Sequence, residues 1–161
     1  MMFFNSVGEK LGENRLRDIV RQWTIAIDPI GYAFAIWGVI YLFIMAFVIY
    51  AVLPTSWVPS RNNDLIFGQC GWLIIINFTF NALWLIVFKY STPIAFIIAF
   101  GIIGVMESSG LLIIQYASYA ELNTFEAITL RAGFTIYIAW VSAATILGAT
   151  YVLYSSGLQS N

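Results

Sequence analysis

The stretch "IIINFTFNALWLIVF" (Ile74–Phe88) sets Asn77 and Asn81 four residues apart, with Trp84 and Phe88 continuing the series. In a helix this spacing stacks all four on one face, and Cys70 falls on the same stripe. A carboxamide both donates and accepts, but left unpaired in hydrocarbon it costs about 2–7 kcal/mol. The face must therefore turn inward. There it can bond a neighbouring helix, at roughly 0.6–2 kcal/mol per contact, or form part of a ligand pocket.

Glu107, in "GVMESSGLL", is the only carboxylate well inside an apolar run. An acid at that depth is a functional-site hypothesis, facing the bundle or water. A structural carboxyl held by a neighbour is the alternative. Ser108, Ser109 and Gly110 are expected to loosen or bend the helix around it. No second acid or base accompanies Glu107, so acid–base catalysis has little support.

Two further aromatic stripes match the first. In "DPIGYAFAIWGVIY", Phe34, Trp37 and Tyr41 fall at i, i+3 and i+7. In "FTIYIAWVSAATILGATY", Tyr137, Trp140, Ala144, Gly148 and Tyr151 align, and Ala139/Ala143 and Ala144/Gly148 are small pairs four apart that permit close helix approach. Three helices that each present an inward tryptophan imply a shared aromatic cavity. Ordinary core packing would give the same pattern.

Composition narrows the chemistry. Of 161 residues, 61% are hydrophobic and 9% charged, against about 25% charged in soluble domains. So little charge cannot cover a soluble surface, and the bilayer is the expected solvent. A net charge of −1 gives no footprint for nucleic acid. Histidine is absent, which removes the commonest general base, haem ligand and zinc ligand. One cysteine, Cys70, cannot form an intrachain disulfide and is expected to be a buried thiol. These features speak against a conventional hydrolase, metalloenzyme or haem protein. The first residues show neither a signal peptide nor a clear transit peptide.

Those side chains need elements to hold them. Four segments are predicted to span: Gly31–Leu53, Ile66–Phe88, Pro93–Gln115 and Gly133–Tyr154. Each can bridge a hydrocarbon core of about 30 Å. "NTFE" (Asn123–Glu126) reads as a helix N-cap with an acid three places on, so the last helix is expected to begin outside the membrane and run inward past Arg131. Upstream, Leu16, Ile19, Val20, Trp23 and Ile27 recur at helical spacing among Arg15, Arg17 and Arg21. This predicts an amphipathic helix lying at the interface or against a partner protein. The organisation is then an amphipathic segment over 1–30, an all-α four-helix membrane bundle over 31–155 and a tail over 156–161. Lys10, Arg15, Arg17, Arg21 and Lys89 fall on one side, Arg61 and Arg131 on the other. The positive-inside rule places both termini in the cytoplasm, or in the matrix or stroma of an organelle. Trp57, Tyr90, Tyr116, Tyr119 and Tyr154 lie near span ends, as aromatic belts do.

Together these motifs resemble the translocator protein family (TspO/MBR, the tryptophan-rich sensory proteins). Pro29, Phe34, Trp37 and Tyr41 resemble the start of that family's second helix. Asn81, Trp84 and Phe88 are similar to its third-helix pattern, and Tyr137, Trp140, Ala144 and Thr145 to its fifth-helix motif. The likeness runs from about Asp28 to Tyr154. The family has five transmembrane helices, whereas four spans and the amphipathic segment are seen here. The resemblance implies a non-enzymatic bundle whose pocket takes a porphyrin or other tetrapyrrole, a sterol or a lipid. Its expected ligand-binding residues are Phe34, Trp37, Tyr41, Asn77, Asn81, Trp84, Phe88, Glu107, Tyr137 and Trp140. Expected partners are membrane lipids and either other membrane subunits or further copies of the chain, in an organellar inner, thylakoid or bacterial membrane. The alternative is a supernumerary subunit of a respiratory or photosynthetic complex that keeps the fold as scaffold. Porphyrin degradation through pocket tryptophans ranks below both.

Overall fold

Backbone groups in an apolar solvent must find partners within their own segment, so helices are what these runs can form. The computed structural model describes residues 35–90 and 92–155. It has helices α1 (Ile36–Val52), α2 (Gly71–Phe88), α3 (Pro93–Tyr119), α4 (Thr124–Glu126) and α5 (Gly133–Ser155). A π-helical turn, Asp64–Gln69, leads into α2, and another, Ala127–Ala132, joins α4 to α5. Three stretches are long and apolar enough to cross a bilayer: α2, α3 and the continuous rod Thr124–Leu153. The first predicted span appears as α1, a shorter apolar helix of 17 residues. The predicted N-terminal amphipathic helix, Pro29, Phe34 and the tail over 156–161 lie outside the described residues.

Helix ends follow local chemistry. Thr92 caps α3, its hydroxyl accepting from the Ala95 N–H at 3.2 Å, and Pro93 follows at the first helical position. The predicted cap at Asn123 is a full capping box: Asn123 Oδ1 accepts from Glu126 N–H at 3.0 Å, and Glu126 Oε2 accepts from Asn123 N–H at 3.2 Å. The last helix does start there and run past Arg131. At the end of α1, Arg61 Nη1 donates to the carbonyls of Tyr50, Ala51 and Leu53 at 3.2, 2.8 and 2.6 Å. Those are the acceptors a helix terminus otherwise leaves unfilled.

Two expectations need correction. The second span does not begin as an α-helix at Ile66. Cys70 N–H donates to Leu65 C=O at 2.8 Å, closing a π-turn, and the wider turn brings Leu65, Ile66 and Cys70 all into the core. Nor does α3 loosen at Ser108–Gly110. It runs unbroken to Tyr119, and the two serine hydroxyls turn back on their own helix, donating to the carbonyls of Gly104 and Val105 four residues earlier. Gly110 there serves packing. A Cβ on it would sit 2.5 Å from Ile138 Cγ1 of α5 and closer still to Cδ1.

In the bundle α3 lies between α2 and α5, and α1 packs on α5 and the second π-turn. One core, including Ile40, Phe47, Ile113, Phe134 and Tyr137, spans all four long helices with side chains almost fully buried or packed upon them. A smaller cluster of Phe88, Phe96, Ala99 and Tyr151 closes the end near the α2–α3 connector. Outward faces are apolar as well, with Leu42, Met45, Ile94, Ile97 and Ile146 exposed. Apolar surface on every side suits lipid as solvent.

Candidate functional site

The stripe on α2 is built as its spacing required, but its partners differ from turn to turn. Asn77 is fully buried, and its Nδ2 donates to Met106 C=O at 2.7 Å and to Ser109 Oγ at 2.9 Å. This ties α2 to α3. One turn on, Asn81 Nδ2 donates to the Tyr137 hydroxyl at 3.2 Å and ties α2 to α5. Both asparagines are thus interhelical bonds. Yet Asn77 Oδ1 is buried without a partner among the described residues, and so is Trp84 Nε1. The stripe therefore holds an orphan acceptor and an orphan donor on either side of a filled contact. Each such atom costs about 1–3 kcal/mol, so a polar atom from beyond the described residues would be stabilised at either position.

Around this stripe the aromatic side chains form two groups. Trp37 stacks on Tyr41 with ring centres 5.4 Å apart and meets Trp140 edge-on at 6.2 Å. Trp84 stacks on Phe88 at 5.0 Å, and Phe88 meets Phe96 and the edge of Tyr151. Trp84 also packs against the main core, so it stands where the two groups adjoin. Tyr137 lies edge-on to Phe134, its hydroxyl turned to Asn81. The structure thus joins Trp37, Tyr41 and Trp140 in one group and Trp84 and Phe88 in the other. Asn81 and Tyr137 bridge α2 and α5 between the helices that carry them.

Glu107 stands apart from the rings. Its Oε1 accepts from Ser142 Oγ at 2.7 Å and its Oε2 from Thr145 Oγ1 at 2.8 Å, both on α5. Residue 107 lies at the border of α3, between buried Met106 and Gly110 and exposed Gly104, Ser108 and Leu111. It is half-buried, in the outer seam between α3 and α5.

A second carboxylate escaped the sequence reading except as a cap. Glu126 is completely buried. Its Oε1 accepts from the Tyr50 hydroxyl at 3.2 Å and from Asn62 N–H at 2.8 Å, while Oε2 takes the capping bond from Asn123. Asn123 Nδ2 donates in turn to the Tyr50 hydroxyl at 2.8 Å. Asn62 also accepts from Leu65 N–H and donates to Glu121 C=O. A buried acceptor with three donors is a fastening between α1, the connector before α2 and the start of the last helix. The capping spacing was the one available signal, and it says nothing of burial.

No curated protein and no solved structure matches the chain. A family profile does, and it does so over residues 1–161, the whole sequence. Its description is TSPO-like protein, which agrees with the ordered motifs on α1, α2 and α5. By that match the chain belongs to the TSPO-like protein family.

Proposed function

We propose that the chain is a non-enzymatic membrane protein that holds a flat apolar ligand against its aromatic interior and works within a larger membrane assembly. The ligand is a porphyrin or other tetrapyrrole, a sterol or a lipid. The bundle would have four spans and both termini on the side of Lys89. The observation that carries the ligand half is the orphan pair on α2. Asn77 Oδ1 and Trp84 Nε1 are an acceptor and a donor left buried beside stacking rings. Aromatic faces bury large areas with offset or edge-on geometry, and a few polar atoms fix orientation.

Titration of the purified chain with a porphyrin, read by tryptophan fluorescence, tests this. Saturable quenching is expected, and Trp84→Leu or Trp140→Leu should weaken it, while Trp72→Leu, on the exposed face of α2, should not. Saturable quenching untouched by both inner variants would remove the pocket from these helices. A structural subunit that has kept the fold is the second reading, and the Asn77–Met106 and Asn77–Ser109 bonds favour it, because they serve packing alone. It would give no saturable quenching at all.

A further inference from the structure

Trp84 closes the polar part of the α2 stripe with a hydrogen that nothing in the described chain accepts. Asn81, one turn earlier, is turned to the Tyr137 hydroxyl on α5 and does not meet it. An indole Nε1 only donates, so whatever completes it must bring an acceptor. Asn77 Oδ1 has the opposite need, because an amide oxygen only accepts. It lies two turns back, about 10 Å along the helix axis. One small polar group cannot serve both atoms, and the ligand edge at Trp84 is defined by the donor alone.

The charges around Trp84 decide the sign of that acceptor. Here Trp84 packs against Phe88, Phe96, Ala99 and Tyr151, which α2, α3 and α5 bring together. The described acids are Asp64, Glu107, Glu121 and Glu126. Asp64, Glu121 and Glu126 sit at the other end of the bundle, before α2, after α3 and at the start of the last helix. Glu107 is taken by Ser142 and Thr145. Of the described cations, Lys89 caps α2 at the Trp84 end, its ammonium 5.1 Å from the centre of the Tyr90 ring. An anionic acceptor thus meets no described acid here and has a cation about 8 Å farther along the axis. So near the helix end, a carboxylate also stays clear of the bilayer centre, where a lone charge is costly.

We propose that the Nε1–H of Trp84 selects the ligand's polar edge. The site takes a flat apolar molecule that carries a carboxylate, its face on the rings beside Phe88 and its carboxylate on Trp84. The proposal rests on the ligand half of the function given above and narrows it. A tetrapyrrole with free carboxyl groups meets the requirement. A sterol meets it less well, because a charged acceptor makes a bond roughly twice as strong as a neutral one.

The test titrates the purified full chain in detergent with two porphyrins and follows the porphyrin absorption band. Mesoporphyrin carries propionate carboxylates; etioporphyrin has an alkyl rim only. Trp84→Phe keeps an aromatic ring beside Phe88 but removes the N–H. It should weaken mesoporphyrin binding by at least about tenfold and leave etioporphyrin within about twofold. Each probe is compared across variants, so its own partition into the micelle cancels. Trp72→Phe, on the exposed face of α2, should change neither. In the wild-type chain, the ultraviolet resonance Raman band that reports indole N–H bonding should change with mesoporphyrin and not with etioporphyrin.

Unchanged mesoporphyrin affinity in Trp84→Phe would overturn the proposal. So would an equal loss for both probes, which would assign the effect to ring packing, or a Raman band that responds alike to both. Retained etioporphyrin binding shows that the variant is folded, and the Raman arm needs no substitution at all. A wild-type chain that binds neither porphyrin saturably defeats the ligand reading itself, an outcome distinct from loss of the preference alone.

Discussion

Replacing Gly110 by alanine puts a number on the closeness of α3 and α5. In a helix with open space, Gly→Ala stabilises by about 1 kcal/mol. At Gly110 the added Cβ lands 2.5 Å from Ile138 Cγ1, and Ile138 is buried. Its Cδ1 can swing away about χ2, but Cγ1 is held by the stiff χ1 of a β-branched residue in a helix. Overpacking of that kind costs about 1–3 kcal/mol. The net change for Gly110→Ala is therefore expected between neutral and about 2 kcal/mol destabilising. Gly38→Ala, with nothing within 4 Å, should be neutral to stabilising. Reversible unfolding by sodium dodecyl sulfate in mixed micelles reads both. The decisive arm is the double variant Gly110→Ala/Ile138→Ala, which removes the clashing atoms. Its cost should fall short of the sum of the single costs by about 1 kcal/mol or more. Simple additivity, or a Gly110→Ala protein stabilised by the full 1 kcal/mol or so of an open helix position, would show that the two helices are not in this contact.

The buried polar atoms give two further expectations. Asn77→Leu loses two hydrogen bonds, each worth about 0.6 kcal/mol in membrane proteins, but also removes the orphan Oδ1, worth about 1–3 kcal/mol. Its stability in the same unfolding assay should stay within about 1 kcal/mol of wild type; a loss above about 3 kcal/mol would mean that Oδ1 has a partner in the native protein. Glu126→Gln keeps one acceptor oxygen for Tyr50 and Asn62 but turns an amide N–H towards Asn123 N–H, and should cost about 1–2 kcal/mol. Glu126→Leu strands all three donors and should cost more than the glutamine. Equal stabilities for the two variants would contradict the fastening.

Which residues face inward was legible from spacing alone; which neighbour each one meets was not. The four-residue step from Asn77 to Asn81 fixed a shared face, because side-chain direction in a helix repeats with the turn. It could not tell that Asn77 would bond α3 and Asn81 would bond α5, since that depends on how three helices cross. The tryptophans divide for the same reason. Trp37 and Trp140 meet because α1 lies on α5, while Trp84 sits farther along α2, where Phe88, Phe96 and Tyr151 close the bundle. Glu126 was legible only as an acid in a helix's first turn, a position usually wet. Its burial comes from Tyr50 and Asn62, which are remote in the chain. Neither π-turn left a mark in the sequence, because a wider turn uses the same apolar residues as an α-helix.

That remoteness bears on how the protein is made. Glu126 accepts from Asn62, 64 residues earlier, and from Tyr50, 76 residues earlier. A ribosome delivers Tyr50 and the loop of Arg61 and Asn62 to the membrane well before the acid that receives them. Until then the Tyr50 hydroxyl and the Asn62 N–H lack this acceptor, and the connector between α1 and α2 is held only by its local bonds, chiefly those of Arg61 to the end of α1. Emergence of the final helix closes it. A chain truncated before Glu126 should therefore be clipped between Leu53 and Asn63 by a quality-control protease, and the full-length chain should resist at the same site. Synthesis of the last helix would thus be the event by which the cell distinguishes a finished copy from an abandoned one.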